Sequence, residues 1–386
     1  MTMIYTSRRS IVNGNEAAVP STFNTEMRSP QMSTLFDPIQ IGTLKLLNRI
    51  VMAPLTRMRA FAERSPGAPN ARHYALRASA GLVITEATSV TPQGVGYPNT
   101  PGIWTEKQIA GWNDVTSAVH DAGGLIVSQL WHVGRVSDPV YHDSQLPVAP
   151  SAIAPEGHVN RVRPPRPYSV PRALETEEIP GIVEDFRVGA ANAKRAGFDG
   201  VELHAANGYL FDQFLHDGSN QRTDRYGGSI ENRARLLLEG VDALLTVWPA
   251  GRIGVHLNLM SSSYSMRDSN PRALFTYVAE QLNARNIAFI FAREALDRGD
   301  DRIGRDVRRI FKGAYILNEG LTRESAELAI ERGEADAAAF GRPFIANPDL
   351  VERFRRGAPL NVVNPETIYG DDETGYNDYP LLDEAV

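Results

Sequence analysis

The 386-residue chain contains no cysteine. That absence removes disulfides, thiolate nucleophiles and Cys-ligated zinc or iron–sulfur centres together, so any redox chemistry must run on another electron carrier. Lysine is scarce: Lys45, Lys107, Lys194 and Lys312 are the whole set. None stands at the end of an apolar run, where a Schiff-base aldolase on a strand-built barrel would place its nucleophile. No run approaches the roughly 18 apolar residues needed to span a bilayer. Positive charge is also short. The formal net charge is −6 and the pI about 5.8, which argues against a basic face for nucleic-acid phosphates. Residues 1–33 carry Arg8 and Arg9 among scattered Ser, Thr and Asn with no sustained apolar core. They read as a disordered leader rather than a secretory signal, and the cytoplasm is the default compartment.

What is present is an alternation. Eight short apolar runs recur at Arg49–Met52, Leu82–Thr85, Leu125–Ser128, Gly200–Leu203, Ile253–His256, Ile287–Ile290, Ala314–Leu317 and Ala335–Ala339. Runs this short and rich in Val, Ile and Leu, separated by helical patterns, predict strands buried on both faces of a parallel sheet. Eight of them predict an α/β fold of the (β/α)8 TIM-barrel type, in which residues just past each strand form the catalytic face. The expected organisation is a single barrel domain over residues 34–386, with an insertion at about 133–179 acting as a lid after the third strand, and a C-terminal tail. Helices are expected over Ala71 to Ala80, Glu106 to Ala122, Pro180 to Ala196 and Ile230 to Val247, the last behind Ser229 as N-cap. Another is headed by Thr322 and runs to Arg332. Asn347-Pro348 reads as an N-cap with proline at the first helical position.

The strand ends carry the polar residues. Thr56 follows the first run, Gln129, Trp131 and His132 the third, His204, Asn207 and Tyr209 the fourth, His256 closes the fifth, and Gly341 follows the eighth. A hydroxyl, a carboxamide, a donor pair and a phenol gathered on one barrel face suit a planar heterocycle and a carbonyl substrate. The insertion adds Arg161, Arg163, Arg166 and Arg172, which read equally as attractors for the phosphates of a nucleotide or as a solvated basic loop.

The stretches APLTRMRA, GLVITEAT, QGVGYPNTPGIW, QLWHVGR, HAANGYLFDQFLHDGSNQRTDRYGGSIENRAR and AFGRPFIANPDL resemble the Old Yellow Enzyme family of flavin-dependent ene-reductases, particularly its pentaerythritol tetranitrate and N-ethylmaleimide reductase branch. The likeness runs from residue 35 to about 382. It implies a barrel that holds FMN non-covalently and takes hydride from NADPH or NADH. It further implies ping-pong transfer through flavin N5 to the activated C=C bond of an unsaturated carbonyl, maleimide or nitro compound. By position, Pro54, Thr56, Ala87, Gln129 and His256 would surround the flavin ring, and Asn318, Gly320, Gly341 and Arg342 would hold its phosphate. His204 and Asn207 would bind the substrate carbonyl and Tyr209 would give the proton, with Tyr97, Trp131 and Tyr376 shaping the pocket. The partner is a small electrophilic alkene, and the protein is expected as a monomer or homodimer.

Three places depart from the family pattern. His256 stands where a G-I-R-L-S-P pattern has arginine beside flavin N1. If the ring takes over that role, its charge would be lost between about pH 6 and 8. Glu319 stands where the phosphate loop often has glycine, and a carboxylate there repels a phosphate unless it turns away. The stretch Ser261 to Met266 rewrites the loop after the fifth strand. Two other readings compete: a metal-dependent barrel hydrolase using His132, His204 and His256 with Glu86 or Glu294, and a flavin-less barrel with a non-redox or binding role.

Overall fold

Eight parallel strands close into a ring in the computed structural model, which describes residues 33–382 apart from Phe61, Ser261, Asp371 and the side chain of Asp300. The strands are β1 (Ile50–Met52), β2 (Leu82–Ile84), β3 (Ile126–Trp131), β4 (Gly200–Ala205), β5 (Ile253–Asn258), β6 (Phe289–Arg293), β7 (Ala314–Asn318) and β8 (Ala337–Phe340). Each pairs with the next, and Ala338 opposite Ile50 closes the circle. All eight expected runs are strands, and the barrel is confirmed. Residues 1–32 of the leader lie outside the described residues.

Alternation along each strand sorts the side chains. Val51, Leu82, Ile84, Val127, Phe289, Phe291, Ile316, Ala337 and Ala339 fill the barrel interior, while Ile50, Val83, Ile126, Val201, Leu203, Ile253, Val255 and Ile290 pack outward in the layer shared with the helices. An antiparallel hairpin, Ile39–Ile41 with Leu44–Leu46, turns at Gly42 with φ +57 and buries Ile41, Leu44 and Leu46 in that interior cluster. The same parity points Gln129, Glu202, His204, His256, Asn258, Arg293 and Asn318 inward. Register sets them side by side: Gln129 opposite Glu202, His204 opposite His256, Asn258 opposite Arg293 and Arg293 opposite Asn318.

The outer helices that bear on the site are α1 (Ala68–Ala75), α2 (Glu106–Asp121), α3 (Ile179–Arg195), α4 (Leu210–Leu215), α5 (Ile230–Leu245), α6 (Pro271–Ala284), α7 (Gly304–Ile310), α8 (Arg323–Glu331), α9 (Arg342–Ala346) and α10 (Leu350–Arg356). Ser229 and Thr322 cap α5 and α8 as expected, each accepting from a backbone N–H three residues on. The cap expected at Asn347 is corrected. Asn347 ends α9, its amide donating to the carbonyl of Pro343, and Asp349 precedes α10. Within the insertion Val148–Ala149 pairs with Arg172–Ala173 and His158 bridges Pro167. Val159 and Tyr168 are buried with Met58, Ala87, Tyr97 and Trp131, so the insertion packs on the strand-end loops.

Candidate active site

Two cavities of about 540 and 380 Å³ open at the strand ends and share Pro54, Leu55, Asn207, His256 and Arg293. Volumes of this size accommodate a small-molecule ligand. The first extends over Asn318, Glu319, Gly320, Gly341 and Arg342. The second extends over Thr56, Ala87, Tyr97, Gln129, His204, Tyr209 and Tyr264. Fifteen residues were placed here by sequence, and thirteen line one or both cavities.

The other two need correcting in different degrees. Trp131 is fully buried behind the wall, its ring stacked on Tyr97 at 5.5 Å and edge-on to Tyr209 at 5.0 Å. It shapes the pocket through those rings. Tyr376 is not part of the lining: it stacks on His73 at 3.9 Å and 9° and accepts from Asn70. The loop after β1 reaches into the C-terminal segment, where Arg57 and Arg59 donate to the carbonyls of Ile368 and Gly375 among others. That anchoring draws Tyr376 away and leaves Tyr369 at the rim.

The floor is a set of neutral groups. Gln129 Nε2 donates to Glu202 Oε2 at 2.7 Å and to His256 Nδ1 at 3.0 Å. Both amide hydrogens are thereby used, and Oε1 remains as the acceptor the residue offers. With Nδ1 accepting, His256 carries its proton on Nε2, a buried donor without a partner among the described residues. Such an orphan is costly unless a ligand satisfies it. Burial, helped by His204 and Arg293, pushes the His256 imidazole well below its usual range. The expectation of a histidine titrating between pH 6 and 8 is corrected: the ring lines both cavities as a neutral hydrogen-bonding group. Burial raises the Glu202 carboxyl to about 8, which keeps it mostly protonated near neutrality. An acceptor with a donor beside it matches the N–H and a neighbouring carbonyl of a heterocyclic imide edge, so the residues present fit a flavin.

Arg293, which sequence reading missed, brings the charge. It lines both cavities, holds Glu319 through two contacts at 2.9 and 3.2 Å, and donates to Asn207 Oδ1 at 2.5 Å. Glu319, whose backbone φ is +110, therefore has its carboxylate committed to a guanidinium, the condition under which a phosphate loop tolerates it. Asn207 sits at φ +59, a region asparagine enters more readily than most residues. Its Oδ1 accepts from Asn258 as well, at 3.2 Å, which leaves Nδ2 as the amide's free donor arm.

Beside it, His204 stacks on His256 at 4.9 Å and 8° and meets Tyr209 edge-on at 5.0 Å. Burial pushes the His204 imidazole down to about 3, so it works as a neutral donor. The Tyr209 hydroxyl lies 2.9 Å from that of Tyr97. Its loop is pinned by Gln213, which donates to the carbonyls of Val133 and Gly208.

Among the insertion arginines, Arg166 is paired with Asp138 and Arg172 with Glu178. Arg161 lies over the Tyr369 ring at 4.4 Å and lines the cavity. The carboxylates invoked for a metal site are spent elsewhere: Glu86 accepts from Arg57 N, and Glu294 accepts from Ile303 N and Arg302. His132 accepts from Gly134 N.

Comparison with known proteins gives a consistent result. Residues 34–361 match the family described as NADH:flavin oxidoreductase / NADH oxidase. A probable flavin mononucleotide-dependent alkene reductase of Leishmania infantum is 43% identical over 364 residues, covering 92% of this chain and 99% of the relative. Morphinone reductase in complex with tetrahydroNAD is 50% identical with a TM-score of 0.87, covering 91% and 98% of the two chains. The old yellow enzyme homologue from Zymomonas mobilis is 44% identical with a TM-score of 0.88, covering 91% and 100%.

Proposed function

Because the chain belongs to the NADH:flavin oxidoreductase / NADH oxidase family, the Old Yellow Enzyme family, and is an FMN-dependent oxidoreductase acting on activated C=C bonds, we propose the following division of labour among its residues. FMN held at this site would supply two-electron hydride chemistry, accepting hydride from a nicotinamide nucleotide and delivering it to the substrate β-carbon in a second half-reaction. Gln129 Oε1 would accept from the imide N–H, His256 Nε2 would donate to the pyrimidine edge, and the Thr56 hydroxyl and Ala87 would border the ring. Asn318, Gly320, Gly341 and Arg342 hold the phosphate, with Glu319 turned onto Arg293. Arg161 at the rim offers a cation for the nucleotide's phosphates.

His204 and Asn207 donate to the substrate carbonyl oxygen, where negative charge develops as hydride arrives. Preplaced donors away from bulk water stabilise that charge without reorganising, and removing one typically costs about 3 kcal/mol. Tyr209 protonates the α-carbon. The observation that carries this assignment is the Asn207 amide. With Oδ1 held by both Asn258 and Arg293, only Nδ2 is left to address the cavity, beside a histidine that burial keeps neutral. The test is turnover of the FMN-loaded protein with NADPH and NADH under nitrogen, using 2-cyclohexenone and N-ethylmaleimide. Absence of nucleotide oxidation with both substrates overturns the reading.

A further inference from the structure

At the rim of the second cavity three phenols meet on one amide, and a fourth joins them through Tyr97. Tyr97 OH lies 2.9 Å from Tyr209 OH and 2.8 Å from Tyr264 OH. Asn160 Nδ2, from the insertion, lies within hydrogen-bond distance of Tyr97 at 3.1 Å, Tyr168 at 3.0 Å and Tyr264 at 2.8 Å, so its two hydrogens are shared among three phenol oxygens. The chain of oxygens begins at Tyr209 beside His204 and ends at Tyr264, which is half-buried. Tyr264 and Ser265 both hold left-handed backbone, at φ +54 and +61. For residues other than glycine this is strain that persists only where the surroundings impose it. Those surroundings are present: buried Arg135 donates to the Tyr264 carbonyl at 3.0 Å, and Ser265 Oγ accepts from Glu156 N at 2.9 Å.

We propose that Tyr97 and Tyr264 form a proton relay that reloads Tyr209 from water at the rim, with Asn160 as its positioning residue. The proposal rests on Tyr209 as the proton donor. When Tyr209 gives its proton to the α-carbon, Tyr97 passes its own to the Tyr209 oxygen, Tyr264 passes its own to Tyr97, and a water replaces the proton of Tyr264. One O–H bond breaks and one forms at each phenol, and the net consumption is one proton from solvent. A carboxamide nitrogen only donates. Asn160 therefore steadies the oxygens without withdrawing a proton from the chain, and each phenol has lone pairs enough to accept from it whichever way the hydroxyls point. Burial raises Tyr209 well above its usual range while the Tyr97 hydrogen bond lowers it. Burial and the two neighbouring phenols raise Tyr97 in the same way, so a lasting phenolate is unfavourable at either oxygen and is relieved only when the proton deficit passes through Tyr264 to water.

The test uses FMN-loaded full-length protein, reduced with one equivalent of NADPH and mixed with 2-cyclohexenone in H₂O/D₂O mixtures, with flavin reoxidation followed by absorbance. The wild type is expected to show a curved dependence of rate on deuterium fraction, the sign of several protons in flight. Tyr97→Phe and Tyr264→Phe keep the rings and are expected to slow reoxidation by enone about tenfold, a part of the roughly 10²-fold that a positioned acid supplies, and to make the dependence linear. Reoxidation by a nitroalkene, whose nitronate product survives in water unprotonated, is expected to slow less than reoxidation by enone in both, and to keep the wild-type dependence on deuterium fraction. Either variant matching the wild type in rate and curvature overturns the relay. Tyr209→Phe separates the two claims: if it leaves enone reoxidation unchanged the donor assignment falls, and if it slows enone alone the donor stands whatever the relay variants do. FMN content and melting temperature check that each protein is folded. Should Tyr97→Phe fail that check, Tyr264→Phe at the rim decides the matter alone.

Discussion

At the floor of the cleft Gln129, Glu202 and His256 come from three adjacent strands, and their mutual positions follow from strand register. At the rim Tyr97, Asn160 and Tyr264 come from three separate loops, and their positions follow from contacts with one another and with Arg135. The floor is buried and holds its polar groups uncharged. Charge enters where the cleft widens, through Arg293 and Glu319 at the ends of β6 and β7. Strand-built geometry supplies orientation at low mobility, whereas loop-built geometry is where one chain differs from its relatives without disturbing the barrel. The stretch that departs from the family pattern, Ser261 to Met266, is the one that brings Tyr264 to the rim.

The largest effect should come from the donors between the two regions. The double variant His204→Ala with Asn207→Ala is expected to lower the enone half-reaction by on the order of 10³-fold or more, since one such donor alone supplies about 10²–10³. Reduction of the bound flavin by NADPH should continue. Stopped-flow measurement of the two half-reactions checks this, and an unaffected oxidative half-reaction removes the donor pair from the mechanism.

Next comes the floor itself. Glu202 is raised from 4.5 to about 8 in the folded protein by burial. Between those values the unfolded chain is ionised while the folded one must keep a proton, so folding takes up a proton and stability falls as pH rises from about 5 to 8. Below that window the term is absent, and above it the loss is complete, at a few kcal/mol. Glu202→Gln removes the titration while its side-chain oxygen still accepts from Gln129. Its melting temperature should fall less than that of the wild type across pH 5 to 8. Parallel curves would mean that Glu202 does not titrate in this window.

Much of this was legible in the sequence, and the failures have physical causes. The eight runs were readable because strands covered on both faces are continuously apolar, and the polar residues just beyond them fell on the catalytic face by topology. Glu202 lay inside a recognised run and was passed over as strand filler, although two-residue alternation from His204 points it inward. Arg293 was missed because the sixth run was ended at Ile290, whereas the strand continues to Arg293. Tyr264 had no local signal, since nothing in a serine-rich loop says where a tyrosine in left-handed backbone will point. Asn347 matched a local capping pattern, but its amide is taken by Pro343 and by Asn361. Tyr376 was misplaced because the arginines that anchor its segment, Arg57, Arg59 and Arg77, lie about 300 residues earlier.

The smallest effect concerns charge beside the flavin, and it sets a strand-end cation against a floor histidine. By the sequence resemblance His256 stands where the family pattern has arginine, but burial with His204 and Arg293 nearby holds it neutral. It therefore contributes a hydrogen bond and no titrating charge near neutral pH. Arg293, one strand over and lining both cavities, is a permanent cation. A cation near the ring favours the form of the cofactor that carries more negative charge, so Arg293→Gln should lower the midpoint potential of bound FMN. A shift of about 30 mV corresponds to about 1.4 kcal/mol on a two-electron couple. That is a modest share of the Coulomb energy of a charge at close range, because Glu319 already neutralises much of the guanidinium. His256→Asn should change the potential without changing its slope against pH between 6 and 8. Spectroelectrochemistry on the three proteins decides between the two residues. A break in the wild-type slope that disappears in His256→Asn would return the charge to the histidine, and an Arg293→Gln potential equal to that of the wild type would take it from the arginine.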